Sequence, residues 1–414
     1  YVGQEVVICG ELARDRGNRA CEVARLKEVR AVLDDGGYSE IEFEAALTHT
    51  YLRETVTIAG NVAPATHGET RPEEVLGSGN AAQPYQRFTL RQPPLTYVSA
   101  ATPSGVASTL TVRVNQVRWR EVPNLLEQGP DDRVYVVRGD EQGRTVVQFG
   151  DGRTGARLPT GQENVSAAYR AGIGLAGLVK PGQLSLLLTR PAAVTGVTNP
   201  LAAAGADNPE PLADARRNAP LTIVTLDRIV SLRDYEDFAR AFSGIAKAQA
   251  RWVWDGRART IVVTVAGPGG ADVPATQRGH LVEALRRAGE TNVPLRVEPF
   301  LKRTFQTWAT LRRDPDYLPE RVAAAVDAAM HARFSFTARE FGQPVSKGEV
   351  IAAMQGVPGV VAVQLRALFE PSAGDEPAPE VPPVEDELTA QPEPNGRAAL
   401  RVLDPRPVAL EWWS

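Results

Sequence analysis

The sequence predicts a multidomain β plus α+β protein, with N-terminal antiparallel β domains followed by two small α+β units. Three observations carry that prediction. Before Pro191, short runs rich in β-branched residues alternate apolar with polar and are separated by glycine-containing turns. After Pro191 the chain becomes proline- and alanine-rich. Beyond that change, Ser231 with Asp234 and Ser346 with Glu349 form the S-x-x-D/E signature that opens helices.

At 414 residues the chain has room for two or three domains, each with its own core, at about 150 residues per domain. Hydrophobic residues make up 43% and charged residues 23%, as in soluble globular proteins. A net charge of −4 gives no generalised electrostatic grip on nucleic acid or on an anionic membrane. No apolar run approaches the ~18 residues of a membrane span. Cys9 and Cys21 allow one disulfide, but two reduced, packed thiols are the expectation. The chain opens at Tyr1 inside what already reads as strand, and is expected to be a fragment of a longer one.

Residues 1–66 read as a small antiparallel sheet. Val6-Val7-Ile8 is apolar, Glu22–Leu33 approximates alternation, Asp34–Gly37 turns, Tyr38–Phe43 alternates again and Thr55–Ile58 is β-branched. Residues 67–190 read as a sandwich- or barrel-like β domain. Leu110–Val114 alternates, Asn115-Gln116 turns it into Val117–Val122, and Arg133–Arg138 is a further strand. Trp119 is expected to be a core or edge aromatic, with a platform for a sugar ring as the alternative. Residues 191–220 are a connector. The first α+β unit, 221–300, has a helix with Tyr235, Phe238, Ala239 and Phe242 on one face, stopped at Gly244. Strands Ala248–Trp254 and Thr260–Ala266, helix Gln277–Ala288 and strand Leu295–Glu298 complete it. The second unit, 301–369, runs from extended Phe305–Leu311 through helix Pro319–Phe334 and a short helix Val350–Met354 to a strand ending at Leu365. Residues 370–396 carry seven prolines and eight acidic residues and read as a flexible segment. Residues 397–414 give a closing strand and a tail ending in Trp412-Trp413.

The whole chain turns on Phe149–Val179, FGDGRTGARLPTGQENVSAAYRAGIGLAGLV, where recurrent glycine puts backbone shape ahead of side-chain reach. The strand-like Thr145–Phe149 runs into Gly150-Asp151-Gly152, a hairpin-type turn signal. Gly150, Gly152 and Gly155 also spell G-x-G-x-x-G, but Pro159 and Gly161 follow where the dinucleotide fingerprint needs a helix. A tight turn followed by an extended glycine-rich crossover is therefore the local reading.

The full string resembles the baseplate J-like proteins of contractile phage tails and related injection machines. The residues that carry the likeness are Gly150, Asp151, Gly152, Gly155, Pro159, Gly161, Asn164, Tyr169, Arg170, Gly172 and Gly174. ATHGET at 65–70, EVLGSG at 74–79 and QRF at 86–88 are similar to the same family. So are NPLAAAGADNPEP at 199–211, ARRNAP at 215–220, RIVS at 228–231 and DYE at 234–236. The likeness covers roughly Gly60–Val363. It departs at Gly177-Leu178-Val179 and at Gly205-Ala206, where the family's local turn residues differ.

The resemblance implies a structural wedge subunit of a contractile injection system. Such a subunit forms the ring around the hub and spike and couples baseplate rearrangement to sheath contraction. Its implied partners are a second J-like wedge protein, hub or spike proteins, sheath or sheath-initiator proteins, and further copies of itself in a ring. No nucleic acid and no membrane insertion are implied. Assembly is expected in the cytoplasm, within a particle that is released or kept in the cell. Tyr235, Trp412 and Trp413 are the residues expected at a partner interface. Residues 149–175 are expected to hold the β domain together, so valine at Gly152 and Gly155 should abolish assembly. The runner-up is a carbohydrate- or cell-surface-binding module built on Trp119 or the terminal tryptophans. A hydrolase would have to rest on His67 and Glu69, which stand in a loop with no third group nearby. No cofactor, metal-ligating or catalytic set is expected: the four histidines are scattered, and neither a P-loop nor a G-x-S-x-G elbow is present.

Overall fold

In the computed structural model the described residues are 2–13, 15–32, 37–140, 142–172, 174–189, 191–206, 208, 216, 228–290, 292–371 and 384–413. The chain divides into two compact units, residues 1–98 with 108–209 and residues 99–107 with 210–414. The class is β in the first part and α+β in the second, as the alternation and the helix caps dictate.

The first unit begins with strands β1 (Glu5–Leu12), β2 (Asp15–Val32), β3 (Tyr38–Phe43) and β4 (Thr57–Ala59), antiparallel in the order β3-β2-β1-β4. Its core is small: Val6, Ile8 and Leu26 are buried, with Ile41, Phe43 and Tyr51 partly covering them. Residues 34–36 of the expected turn lie outside the described residues. The expectation of two reduced thiols is corrected. Register sets Cys9 directly opposite Cys21, with Cα atoms 4.1 Å apart, and the two form a disulfide.

The same unit continues as a sandwich. Its strands are β5 (Glu69–Gly79), β6 (Arg87–Thr89), β9 (Thr111–Val114), β10 (Val117–Arg118), β11 (Arg120–Glu121), β12 (Val134–Gly139), β13 (Thr145–Phe149) and β14 (Gly161–Ala171), while β7 (Tyr97–Ser99) and β8 (Val106–Ser108) pair with each other alone, and residues 99–107 between and within them count with the second unit. One sheet has the order β10-β9-β14-β5 and the other β11-β12-β13-β6. Inward residues of the first, Val112, Val114, Val165, Ala167 and Tyr169, pack on Tyr135, Val147 and Phe149 of the second. Asn115 and Gln116 both take positive φ, the backbone of a two-residue hairpin turn between β9 and β10. Trp119 sits where the chain leaves one sheet for the other. It is 5% exposed and meets Phe149 edge-on at 5.4 Å. Burial removes it as a sugar platform.

The second unit carries helix α1 (Leu232–Ala241), strands β15 (Lys247–Trp254) and β16 (Arg259–Ala266), helix α2 (Ala275–Ala288) and strand β17 (Leu295–Pro299). β15 and β16 are antiparallel; β16 and β17 are parallel, as the intervening helix requires. Ser231 caps α1 in a complete capping box with Asp234, whose carboxylate accepts from Ser231 N at 2.7 Å and Val230 N at 2.9 Å. Tyr235, Phe238, Ala239 and Phe242 all face Ile261, Val263, Val265, Leu281 and Leu285 in one core. Each buried phenylalanine contributes roughly 1.5–3 kcal/mol. Gly105, at φ +78°, belongs to this unit and lies flat on Phe242; a Cβ there would meet Cδ1 at 2.7 Å.

The last elements are β18 (Leu301–Arg313), α3 (Pro319–Arg333), β19 (Val345–Ser346), α4 (Lys347–Gln355), β20 (Val360–Phe369), β21 (Glu387–Leu388), β22 (Ala399–Leu403) and β23 (Ala409–Trp412). β18 is the spine, pairing antiparallel with β20 and parallel with β22 and β23. At α4 the expected capping box is only half made. Ser346 accepts from Glu349 N, but the Glu349 carboxylate goes to Arg339 Nη1 at 2.8 Å and Arg333 Nη2 at 3.0 Å. Arg339 is fully buried, and a buried guanidinium needs that carboxylate more than a helix terminus does. In the segment read as flexible, residues 372–383 lie outside the described residues, while 384–396 is seated. Leu388 and Ala390 are buried there, and β21 pairs with β19. Glu370 is gripped by Arg401 and Arg303, at 2.9 and 3.0 Å. Burial pushes its carboxyl up, but those hydrogen bonds outweigh it and hold the group below the usual range. Among the described residues no helix is long and apolar enough to cross a membrane.

Candidate functional site

The glycine-rich stretch joins the two sheets of the sandwich. β13 ends at buried Phe149 and β14 belongs to the opposite sheet, so the hairpin signal at Gly150-Asp151-Gly152 marks a crossover turn instead. The turn is built on Asp151. One carboxylate oxygen accepts from Thr154 N at 2.7 Å, Arg153 N at 2.8 Å and Thr154 Oγ1 at 3.1 Å; the other accepts from Tyr85 Oη at 3.0 Å. The Thr154 and Arg153 amides hold the Asp151 carboxyl far below the ordinary aspartate range. Gly152 N donates to Gly155 O at 2.9 Å, with both glycines at φ +82°. Gly155 N donates to Gly129 O, and Ala156 N to Asp132 O. Every amide from Gly152 to Ala156 thus has a protein acceptor, and a strand follows where a dinucleotide site needs a helix. At Gly150 a Cβ would run into the Thr154 carbonyl at 2.6 Å.

Beyond Pro159, Asn164 clamps the crossover. Its Oδ1 accepts from Gly79 N at 2.7 Å and its Nδ2 donates to Pro159 O at 3.1 Å. Gly161 leaves room for that amide, since a Cβ there would meet Asn164 Nδ2 at 2.6 Å. Tyr169, buried in the sandwich, donates to Glu74 Oε2 at 2.6 Å and accepts from Gln92 N at 3.1 Å. Burial, then the Glu74 bond, raises its phenol above the ordinary value. Arg170 Nη1 donates to the Thr66 carbonyl at 3.0 Å and to the Thr66 hydroxyl.

These contacts bring together two strings far apart in the chain. The His67 ring lies against Gly172 and Gly177; a Cβ on Gly172 would meet His67 Nε2 at 2.7 Å and Gly68 Cα at 2.8 Å. His67 Nε2 is buried without a hydrogen-bond partner, whereas the exposed Glu69 pairs with Arg71 at 3.1 Å. His67 is therefore a packing wedge, and the two residues do not form an acid–base pair. Gly174 opens a single 3-10 turn at Leu175–Gly177, and Ile173 lies outside the described residues. Sequence reasoning placed these glycines together without finding their partner; that both strings hold glycine beside bulky groups was the only signal. Among the described residues no group of three or more His, Cys, Asp or Glu side chains is placed to hold a metal ion.

Of the residues expected at a partner interface, Tyr235 is 5% exposed in its own core, so its side chain is not surface. Its spacing with Phe238 and Phe242 on one helix face is the reason. Trp412 and Trp413 are 38% and 50% exposed, with Trp413 N donating to Leu311 O at 2.9 Å. Trp252 and Trp254, which the sequence reading did not single out, are also exposed, on one face of β15. Arg259 stacks over Trp252 at 4.9 Å.

In this region polar side chains and glycines hold loops to sheets. The family model described as "Baseplate J-like central domain" matches residues 227–298, the part of the second unit from the α1 cap to β17. That stretch of the second unit is thus similar to the central domain of baseplate J-like proteins. A chain of the cryo-EM structure of the anti-feeding prophage (AFP) baseplate, 6-fold symmetrised, aligns with 96% of this chain and 76% of its own length. The identity is 13% and the TM-score 0.34. No curated protein matches.

Proposed function

We propose that this chain is a structural component of the baseplate of a contractile injection system. The observation that carries the reading is the baseplate J-like central domain at 227–298, whose capped helix and three-stranded sheet form one continuous core. The role is mechanical: the chain serves as a wedge in the ring around hub and spike, and couples baseplate rearrangement to sheath contraction. Its partners are the second wedge protein, hub or spike, and sheath-proximal subunits, assembled in the cytoplasm. The exposed Trp412 and Trp413 suit a contact with one of these. The site chemistry supports a structural role, because His67, Asp151, Asn164 and Tyr169 are each engaged in holding backbone or filling space.

The test is affinity capture of a tagged chain at native expression from its host, followed by electron microscopy of the eluate. Baseplate rings or sheathed tubes that contain the chain are the expected result. A monomer that never enters a particle overturns the reading.

A further inference from the structure

Strand β15 lies at the edge of its sheet in the second unit, and its two halves are covered differently. Ala248 and Ala250 turn into the core beneath α1, where Glu236 Oε1 accepts from Ala250 N at 2.9 Å and closes that half of the edge. Trp252 and Trp254 continue on the same face, yet they are 42% and 65% exposed. Val253, on the opposite face, lies against Gly396. The exposure is thus confined to two large aromatic rings one strand repeat apart, the residue type that most often anchors a protein contact.

The backbone beside these rings is open as well. Asp255 N donates to Ala258 O at 3.2 Å, and the β15–β16 register runs on from there without a shift. Alternation in an antiparallel ladder therefore points the N–H and C=O groups of Trp252 and Trp254 away from β16. Among the described residues no strand takes them up. Charge at this corner is one-sided. Arg259, opposite Trp254 in the register, stacks over Trp252 at 4.9 Å, and Arg257 stands exposed in the turn. Among the described residues neither guanidinium has a carboxylate partner. The one carboxylate of the turn, Asp255, is held by Ala258 N at 2.8 Å, Arg257 N at 2.9 Å and Thr260 Oγ1 at 2.9 Å. Open backbone donors and acceptors call for a peptide strand, the unpaired guanidiniums call for carboxylates, and the Arg259 stack already covers one face of the Trp252 ring against a sugar.

We infer that the β15 edge at Trp252–Trp254 takes an extended acidic segment of a partner protein as an added strand. The segment's backbone pairs with that of Trp252 and Trp254, the methylene stems of its glutamates lie on the indoles, and their carboxylates reach Arg257 and Arg259. This goes beyond the baseplate reading and is tested on the purified full chain with defined peptides, so its failure leaves that reading standing.

The probe is a synthetic octapeptide of alternating glutamate and threonine, titrated into the chain labelled with fluorotryptophan and followed by fluorine NMR. Saturable shifts of the Trp252 and Trp254 signals are expected. Lysine in place of every glutamate should weaken binding at least ~tenfold. The R257E/R259E variant should reverse that preference and bind the lysine peptide more tightly, a gain that a misfolded variant cannot show. Trp254→Ala should weaken binding of the glutamate peptide while leaving the melting temperature unchanged, since that side chain is mostly exposed. Methylating the peptide's amide nitrogens at one set of alternate residues should abolish binding, and methylating the other set should be tolerated, because an added strand pairs along one edge only. No saturation with either peptide, a charge preference unaltered in R257E/R259E, or binding that survives methylation of either set would each overturn the inference.

Discussion

Gly172→Ala is the sharpest probe of the crossover. The added Cβ meets His67 Nε2 at 2.7 Å and Gly68 Cα at 2.8 Å, both inside van der Waals contact. Neither neighbour can yield easily. The His67 ring is also pressed by Gly177, and Gly68 sits at φ +113° beside Thr96. Overpacking of this kind destabilises by about 1–3 kcal/mol. His67→Ala removes the obstacle, so the double variant should recover part of that loss, with a coupling of about 1 kcal/mol or more. The assay is hydrogen exchange on peptides spanning 61–80 and 161–172, which reads local opening. Gly172→Ala should raise exchange in both peptides, and His67→Ala in the same chain should lower it again. A Gly172→Ala protein that exchanges like wild type, or a double variant no better than the single, refutes the account of His67 as a wedge.

Further outcomes follow from other contacts. Asp151→Asn should loosen the crossover turn at neutral pH. Since the folded carboxyl titrates below its unfolded value, the stability it contributes is present above about pH 4 and is lost as pH falls further. Wild type should therefore show acid-dependent exchange across 145–165 that the variant lacks. Asn164→Ala orphans the Gly79 amide and the Pro159 carbonyl and should cost about 1–3 kcal/mol, read as increased proteolysis at 156–163. Glu349→Gln leaves Arg339 buried with a neutral partner and should lower the melting temperature of the second unit more than Arg339→Met, which removes charge and desolvation together. Cys9→Ser should destabilise the N-terminal sheet by roughly 3 kcal/mol, and reductant should reproduce that loss in wild type only.

Local signals were legible in the sequence because they act over a few residues. The Ser231–Asp234 box, the Asn115-Gln116 turn and the apolar face of α1 each depend on spacing alone, and each is in place. What failed depends on register and burial, which spacing alone does not set. The Cys9–Cys21 pair needs the β1–β2 register, and the fate of Glu349 needs the burial of Arg339. Tyr235 was legible as part of an apolar face, and that same periodicity removes it from the surface. Gly172 and His67 were both singled out, but only the folded sandwich shows that one exists to receive the other.

β18 carries a consequence for synthesis. Its partners β22 and β23 lie almost a hundred residues downstream, with Leu301 opposite Ala399. At roughly 5–20 residues per second, a ribosome leaves that strand without its final neighbours for about 5–20 s. During that interval an edge rich in Phe305, Ala309 and Leu311 is open to any strand nearby. In a cell making many copies at once, the second unit is thus exposed to mispairing until its last strands emerge, and chaperone demand during translation should fall on this half of the chain.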